Sequence, residues 1–202
     1  NPNYQPWTGG GHHFSFLNQP VAAERNFYVF CTALLPLLTG HEDYAQQLGE
    51  IHSDFSKVMQ AQMEKMWAAK LGLSIFNAAL FSELETLMVQ TPVDYTLFFR
   101  ELSTVPDDIG PLRKCFYKNS EGAVDSMPSA YATDPEGTDQ RWSEWLTKWK
   151  SLIDIDSATD ADAAPSRSRE ALSSQMKLVN PKYSLRERFV VPAYQQAAVG
   201  DY

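Results

Sequence analysis

The sequence predicts an all-α protein with a short extended N-terminal lead-in. Three observations carry that expectation. Apolar residues recur at steps of three and four over long stretches, as in Tyr44, Leu48, Ile51, Phe55, Val58 and Met59. Glycine and proline fall mostly between those stretches. No segment alternates apolar and polar residues long enough to make a convincing sheet. The 202 residues, 44% hydrophobic and 21% charged, suit one globular unit or two small ones and argue against wholesale disorder.

Residues 1–19 read as an extended lead-in. Pro2, Pro6 and the run Gly9–Gly11 forbid a helix there, and His12–Phe16 alternates weakly enough for a short strand. Pro20 suits the first position of a helix. From Val21 to Leu38, Phe27, Val29, Phe30, Ala33, Leu34, Leu37 and Leu38 cover most of the circumference. That pattern predicts a largely buried helix, bent or shortened at Pro36. Gly40 separates it from a long helix over about 42–70, which Gly72 stops.

A third helix is expected to start near Ser74 and to carry Phe76, Leu80, Leu84, Leu87 and Met88. In Thr91-Pro92-Val93-Asp94, Thr91 is expected to cap the next helix, Pro92 to fit its first turn and Asp94 to sit where a capping-box acid sits. That helix bears Tyr95, Phe98, Phe99 and Leu102 and ends before Pro106. Leu112–Lys118 reads as one or two helical turns. Residues 119–138, rich in Ser, Asp, Gly and Pro, read as a polar loop. Trp142, Trp145, Leu146, Trp149 and Leu152 mark a further helix, followed by a second polar loop at 154–166. A helix near Arg169–Leu178 leads to a last helical pattern that Pro192 interrupts. There is no internal repeat of 20–50 residues.

The formal net charge is −8 and no basic block is present, which speaks against nucleic acid and anionic membranes as partners. No uninterrupted apolar run approaches the roughly 18–20 residues of a membrane span, so no membrane partner is expected. The first ten residues have neither the basic stretch nor the apolar core of a signal peptide. They begin with Asn, which leads to the expectation of a cut or processed chain. Cys31 and Cys115 read as free thiols rather than a disulfide pair.

No catalytic centre can be assembled from the residues. Thr8-Gly9-Gly10-Gly11-His12-His13 lacks the Gly-Lys-Ser/Thr of a phosphate loop and reads as a flexible turn. His12 and His13 are adjacent, and His41 and His52 lie three helical turns apart, so neither pair has metal-ligand spacing. No serine sits in a Gly-x-Ser-x-Gly elbow. The carboxylate pairs Asp107/Asp108 and Asp154/Asp156 read as solvated turn residues. The stripe Trp142/Trp145/Trp149 reads as core, and Arg167–Glu170 as an exposed helix start. Two readings follow: a free-standing helical protein-interaction scaffold, or the helical remainder of an enzyme whose chemistry lies upstream.

Four stretches favour the second. Phe14–Pro20 with Asn26 resembles the Phe-x-x-Gln-Pro…Asn signature of the selenoprotein O family. Glu64–Leu73 (EKMWAAKLGL) resembles the family's Arg/Lys-Met-x-x-Lys-Leu-Gly helix end, and Val93–Ser103 (VDYTLFFRELS) its Asp-Tyr-Thr-x-x-Phe-Arg-x-Leu-Ser segment. Asn180–Tyr202 is similar to its Asn-Pro-x-Tyr-x-Leu-Arg…Gly-Asp stretch. They occur in family order over nearly the whole chain. Arg25, Glu187, Arg188 and Pro192 depart from the family pattern, and the two polar loops are longer than in bacterial members.

The resemblance implies the helical C-lobe of a protein-kinase-like fold, with residues 1–19 as the exit from a missing catalytic region and 20–202 as the lobe. It implies a parent enzyme, a protein adenylyltransferase (AMPylator), that moves AMP from ATP to Ser, Thr or Tyr of other proteins with Mg or Mn. The ATP-positioning, catalytic and metal-binding residues of the family precede this region, so the expectation is no catalytic, cofactor-binding or metal-binding residue here. The implied partners are that catalytic region and the parent's protein substrates. The implied location is mitochondrial for a eukaryotic member and cytoplasmic otherwise.

Overall fold

A computed structural model describes residues 18–117, 134–159, 168–184 and 187–201. The glycine run, His12, His13, the short strand at 12–16 and most of both polar loops lie outside those residues. The described elements are α1 (Gln19–Leu34), a 3₁₀ turn (Leu35–Leu38), α2 (Glu42–Leu71), α3 (Ala78–Gln90), α4 (Tyr95–Leu102), the one-turn α5 (Gly110–Arg113), α6 (Pro135–Thr159), α7 (Arg169–Val179) and α8 (Glu187–Ala198). Among the described residues there is no strand, only an isolated antiparallel bridge between Val93 and Phe116. The all-α expectation holds for them. The chain divides into two compact units, Asn1–Ala68 with Ile75–Pro92, and Ala69–Ser74 with Val93–Tyr202.

In the first unit α1 begins at Gln19, so Pro20 lies in its opening turn one position inside the expected start. Pro36 has no N–H to give an α-helical bond, and the chain tightens there into the 3₁₀ turn. The expected burial of this stretch is overturned. Only Ala22 and Cys31 of α1 are buried, while Val21, Tyr28, Val29, Phe30, Leu35 and Leu37 stand exposed. The helix is apolar nearly all round but is packed along limited contacts with α2, among them Phe27 on Phe55, with ring centres 5.0 Å apart. Gln19–Leu38 is also long and apolar enough, by length and composition, to cross a membrane. Counting uninterrupted runs misses it because Glu24, Arg25 and Asn26 break the run.

The starts of α3 and α4 differ from expectation. α3 begins at Ala78, not near Ser74, because the Asn77 carboxamide accepts a bond from the Leu80 N–H at 2.9 Å and caps it. α4 is capped by Asp94 itself, whose carboxylate accepts from the Leu97 N–H at 3.1 Å. Thr91 instead closes α3, its N–H donating to the Leu87 carbonyl at 2.7 Å. Its buried hydroxyl has no hydrogen-bond partner among the described residues.

The core of the second unit is aromatic. Along α6, Trp142, Trp145, Leu146, Trp149 and Ile153 are buried, following steps of three and four on one face. Phe98 of α4 meets Trp142 and Trp145 at 5.3 and 6.1 Å between ring centres. Phe116 lies 5.2 Å from Trp142. The Trp stripe is core, as the sequence indicates. α6 runs on to Thr159, so the first residues of the expected loop at 154–166 are helical, and it starts at Pro135, inside the expected loop at 119–138. No Gly or Pro stands between Leu152 and Thr159 to stop it. α8 forms with Pro192 inside it.

Candidate functional site

In the second unit a buried amide, Asn180, gathers the polar side chains of Lys70, Arg100 and Ser103. It is the residue that ends α7, and Pro181 follows it. Its side chain is fully enclosed and each polar atom is engaged. The Lys70 ammonium donates to Oδ1 at 3.0 Å. Nδ2 donates to the Lys70 carbonyl at 2.9 Å and to the Ser103 Oγ at 3.0 Å. The Asn180 N–H donates to the Met176 carbonyl at 2.9 Å, and its own carbonyl accepts from Arg100 Nη1 at 3.0 Å. Arg100 Nη1 also donates to the Lys177 carbonyl at 3.1 Å, so one guanidinium closes the end of α7.

Lys70 lies over the rings of Phe99 and Tyr95, 4.9 and 5.8 Å from their centres. Burial holds its pKa below the ordinary lysine value. Among the described residues no carboxylate pairs with it. The Ser103 hydroxyl in turn donates to the Phe99 carbonyl at 2.7 Å. Next to Lys70, the Trp149 indole N–H donates to the Leu71 carbonyl at 2.8 Å. Gly72 follows at φ +71°, where a Cβ would lie 2.7 Å from the Met176 sulfur. Only glycine meets both demands.

Three of the stretches singled out in the sequence therefore meet at one point. Lys70, Leu71 and Gly72 come from the Lys-Leu-Gly helix end, Phe99, Arg100 and Ser103 from the Val93–Ser103 segment, and Asn180 opens the last stretch. Sequence reading marks the stretches but not these partnerships. Its only usable signal is that each stretch carries a polar residue set among apolar ones. The arrangement locks helix ends together. It offers no nucleophile beside a base and no open carboxylate pair.

The other sequence candidates are dispersed. His52 packs on Tyr28 at 5.3 Å and His41 on Tyr44 at 5.6 Å between ring centres. Among the described residues no group of three or more His, Cys, Asp or Glu is placed to hold a metal ion. Asp107 is not simply solvated. Both Arg169 terminal nitrogens reach its carboxylate at 3.1 Å, and the hydrogen bond and charge of Arg169 hold its pKa below the usual range. Arg169 also donates to the carbonyl of Val105, a buried residue at φ +53°, in the left-handed region that β-branched side chains avoid. Asp108 accepts from the Gly110 N–H at 2.7 Å. Arg169 thus shapes the turn before α5, while Ser168 caps α7. Arg167 and the Asp154 and Asp156 side chains lie outside the description. Cys31 and Cys115 are free and buried. Burial, then the charges of Glu101 and Asp94, push the Cys115 thiol up to about 12, which disfavours its thiolate.

Comparison with known proteins matches residues 2–199 to the family model described as protein adenylyltransferase SelO. The chain is 29% identical to a protein nucleotidyltransferase YdiU of Aromatoleum aromaticum, over all of this chain and 35% of that protein. It is 33% identical to the YdiU protein of Mycolicibacterium paratuberculosis, over 93% of this chain and 33% of that one. With the YdiU protein of Flavobacterium johnsoniae the identity is 26%, over all of this chain and 36% of the relative. The chain spans about a third of the length of these curated relatives.

Proposed function

The chain belongs to the protein adenylyltransferase SelO family, and from that premise we propose that it is a supporting helical part of a protein AMP-transferring enzyme. In this reading the parent moves AMP from ATP to hydroxyls of protein side chains, and these residues form the helical C-lobe of a kinase-like fold. ATP and Mg or Mn belong to the region outside this stretch. Transfer of this kind relies on metal and positioned charge more than on covalent catalysis. The role of residues 18–201 is to hold a rigid helical base against that region.

The observation that carries the proposal is the use made of the family-like stretches. Lys70, Arg100, Ser103 and Asn180 bond to one another and to helix-end carbonyls. Asn180, enclosed and with each polar side-chain atom engaged inside the protein, positions helices and does not meet a substrate.

The test compares the 202-residue chain with the longer parent, each incubated with ATP labelled on the α-phosphate, Mg or Mn, and an acceptor protein. The expected result is label on protein with the parent and none with the chain alone. In the parent, Asn180→Ala should lower the melting temperature and leave the turnover of the folded fraction unchanged. Transfer by the chain alone would sink the proposal. So would an Asn180→Ala parent that melts normally but turns over slowly, which would place Asn180 in the reaction.

A further inference from the structure

We infer that α1 is an interior helix of the parent protein, enclosed by the part of the parent that lies outside these 202 residues. The inference rests on the reading that the chain is one part of a longer enzyme, and it names the surface through which the parts join. Val21 (57% exposed), Tyr28 (55%), Val29 (60%), Phe30 (57%) and Leu37 (75%) are open to solvent. Tyr28 and Phe30 are two positions apart, roughly 200° around a helix with 3.6 residues per turn. Apolar exposure therefore lies on opposite sides of α1. A helix apolar all round belongs inside a large protein or a membrane.

The occupant follows from three points. A second copy docking on a single patch would cover one side of α1 and leave the other wet. A membrane would have to accept α2 as well, because α1 is fastened to it. Glu24 of α1 accepts a bond from the Ser56 hydroxyl, and Phe27 stacks on Phe55. Yet α2 exposes Glu50, Asp54, Lys57 and Lys65 along its length. The relatives, by contrast, carry about twice as much chain again beyond the part that matches, 33–36% of their length. That is enough folded chain to enclose a helix from more than one side.

Tyr28→Cys tests this without relying on activity. The native Cys31 and Cys115 are buried, so in the 202-residue chain the new thiol reports alone, and in the parent the label is read by mass spectrometry on the peptide that carries position 28. We expect maleimide to label it quickly in the 202-residue chain and at least about tenfold more slowly in the parent, where only opening would expose it. Equal labelling rates overturn the inference. Slow labelling in the parent that becomes fast on dilution, as an oligomer dissociates, overturns it in favour of a second copy. Fast labelling of the parent in buffer that slows with phosphatidylcholine–phosphatidylserine vesicles overturns it in favour of a membrane.

In a companion measurement, Phe30→Ser should lower the melting temperature of the parent. In the 202-residue chain the same change should leave the helical circular dichroism intact and reduce binding of a hydrophobic dye. An unchanged parent melt overturns the inference. If the parent fails to transfer AMP yet protects Tyr28→Cys, the interface stands and the activity reading falls. Transfer with an unprotected thiol means the reverse.

Discussion

α1 and α6 look alike in sequence, since each carries large apolar residues at helical steps, yet the protein treats them in opposite ways. α6 buries Trp142, Trp145, Leu146, Trp149 and Ile153 and leaves Arg141, Ser143, Glu144, Thr147 and Lys148 outside. α1 buries two small residues, Ala22 and Cys31, and leaves its aromatic and branched ones exposed. The difference lies in arrangement. In α6 the apolar residues share one face, which a single layer of neighbours can cover. In α1 they ring the helix, so one neighbour is not enough. Apolar content says that a helix wants cover, and only its distribution says how much.

The largest expected effect breaks that comparison at its strong end. Trp149→Ala removes a buried indole and the bond from its N–H to the Leu71 carbonyl at 2.8 Å. It should cost about 3–5 kcal/mol, read as a lower urea midpoint for the unfolding followed by tryptophan fluorescence. Phe30→Ala in the same chain should shift that midpoint by no more than about 0.5 kcal/mol, as at ordinary surface positions. Similar losses for the two would mean that α1 is covered within these 202 residues after all.

A smaller effect tests how tightly the second unit is fitted. Gly72→Ala must place a methyl group 2.7 Å from the Met176 sulfur at φ +71°. About 1–3 kcal/mol should be lost by urea unfolding, part of it to backbone strain and part to overpacking. Met176→Ala on top should recover the steric part only, so the double change should cost less than the sum of the singles. In the first unit, Gly40 has φ +84° and nothing within 4 Å of an added Cβ, so Gly40→Ala should meet the strain without the clash. Equal losses at the two glycines would show that Met176 gives way freely.

The contrast between the regions also marks what the sequence discloses. Periodicity places α2, α4, α6 and α7, though not all their ends, because each carries apolar residues at helical steps. Asn77 and Asp94 illustrate the limit. Each is a good cap by type, but Ser74 and Thr91 are equally good by type, and the choice turns on backbone geometry set by distant packing. α6 continues to Thr159 although Asp, Ser and Thr weaken it, because nothing in that stretch forbids a helix. The meeting of Lys70, Arg100, Ser103 and Asn180 is harder still. Asn180 lies 110 residues from Lys70 and 77 from Ser103, and no local pattern encodes such partnerships.

The smallest effect tests a charge that the second unit partly encloses. Lys70 is half-buried, and burial lowers its pKa, so the folded state gives up the proton more readily than the unfolded chain. Between the lowered folded value and the unfolded value near 10.5 the unfolded chain therefore binds more protons. Stability owed to Lys70 must rise with pH across that window as the cost of enclosing its charge is relieved. Lys70→Met keeps the stem over Phe99 and Tyr95 and removes the titration, although Asn180 Oδ1 then loses its donor. The quantity to follow is the difference in urea midpoint between wild type and Lys70→Met from pH 7 to 10.5. It should move in favour of wild type as the pH rises toward 10.5. A flat line at Lys70 would mean that its ammonium reaches water freely, and the node at Asn180 would then be looser than its hydrogen bonds indicate.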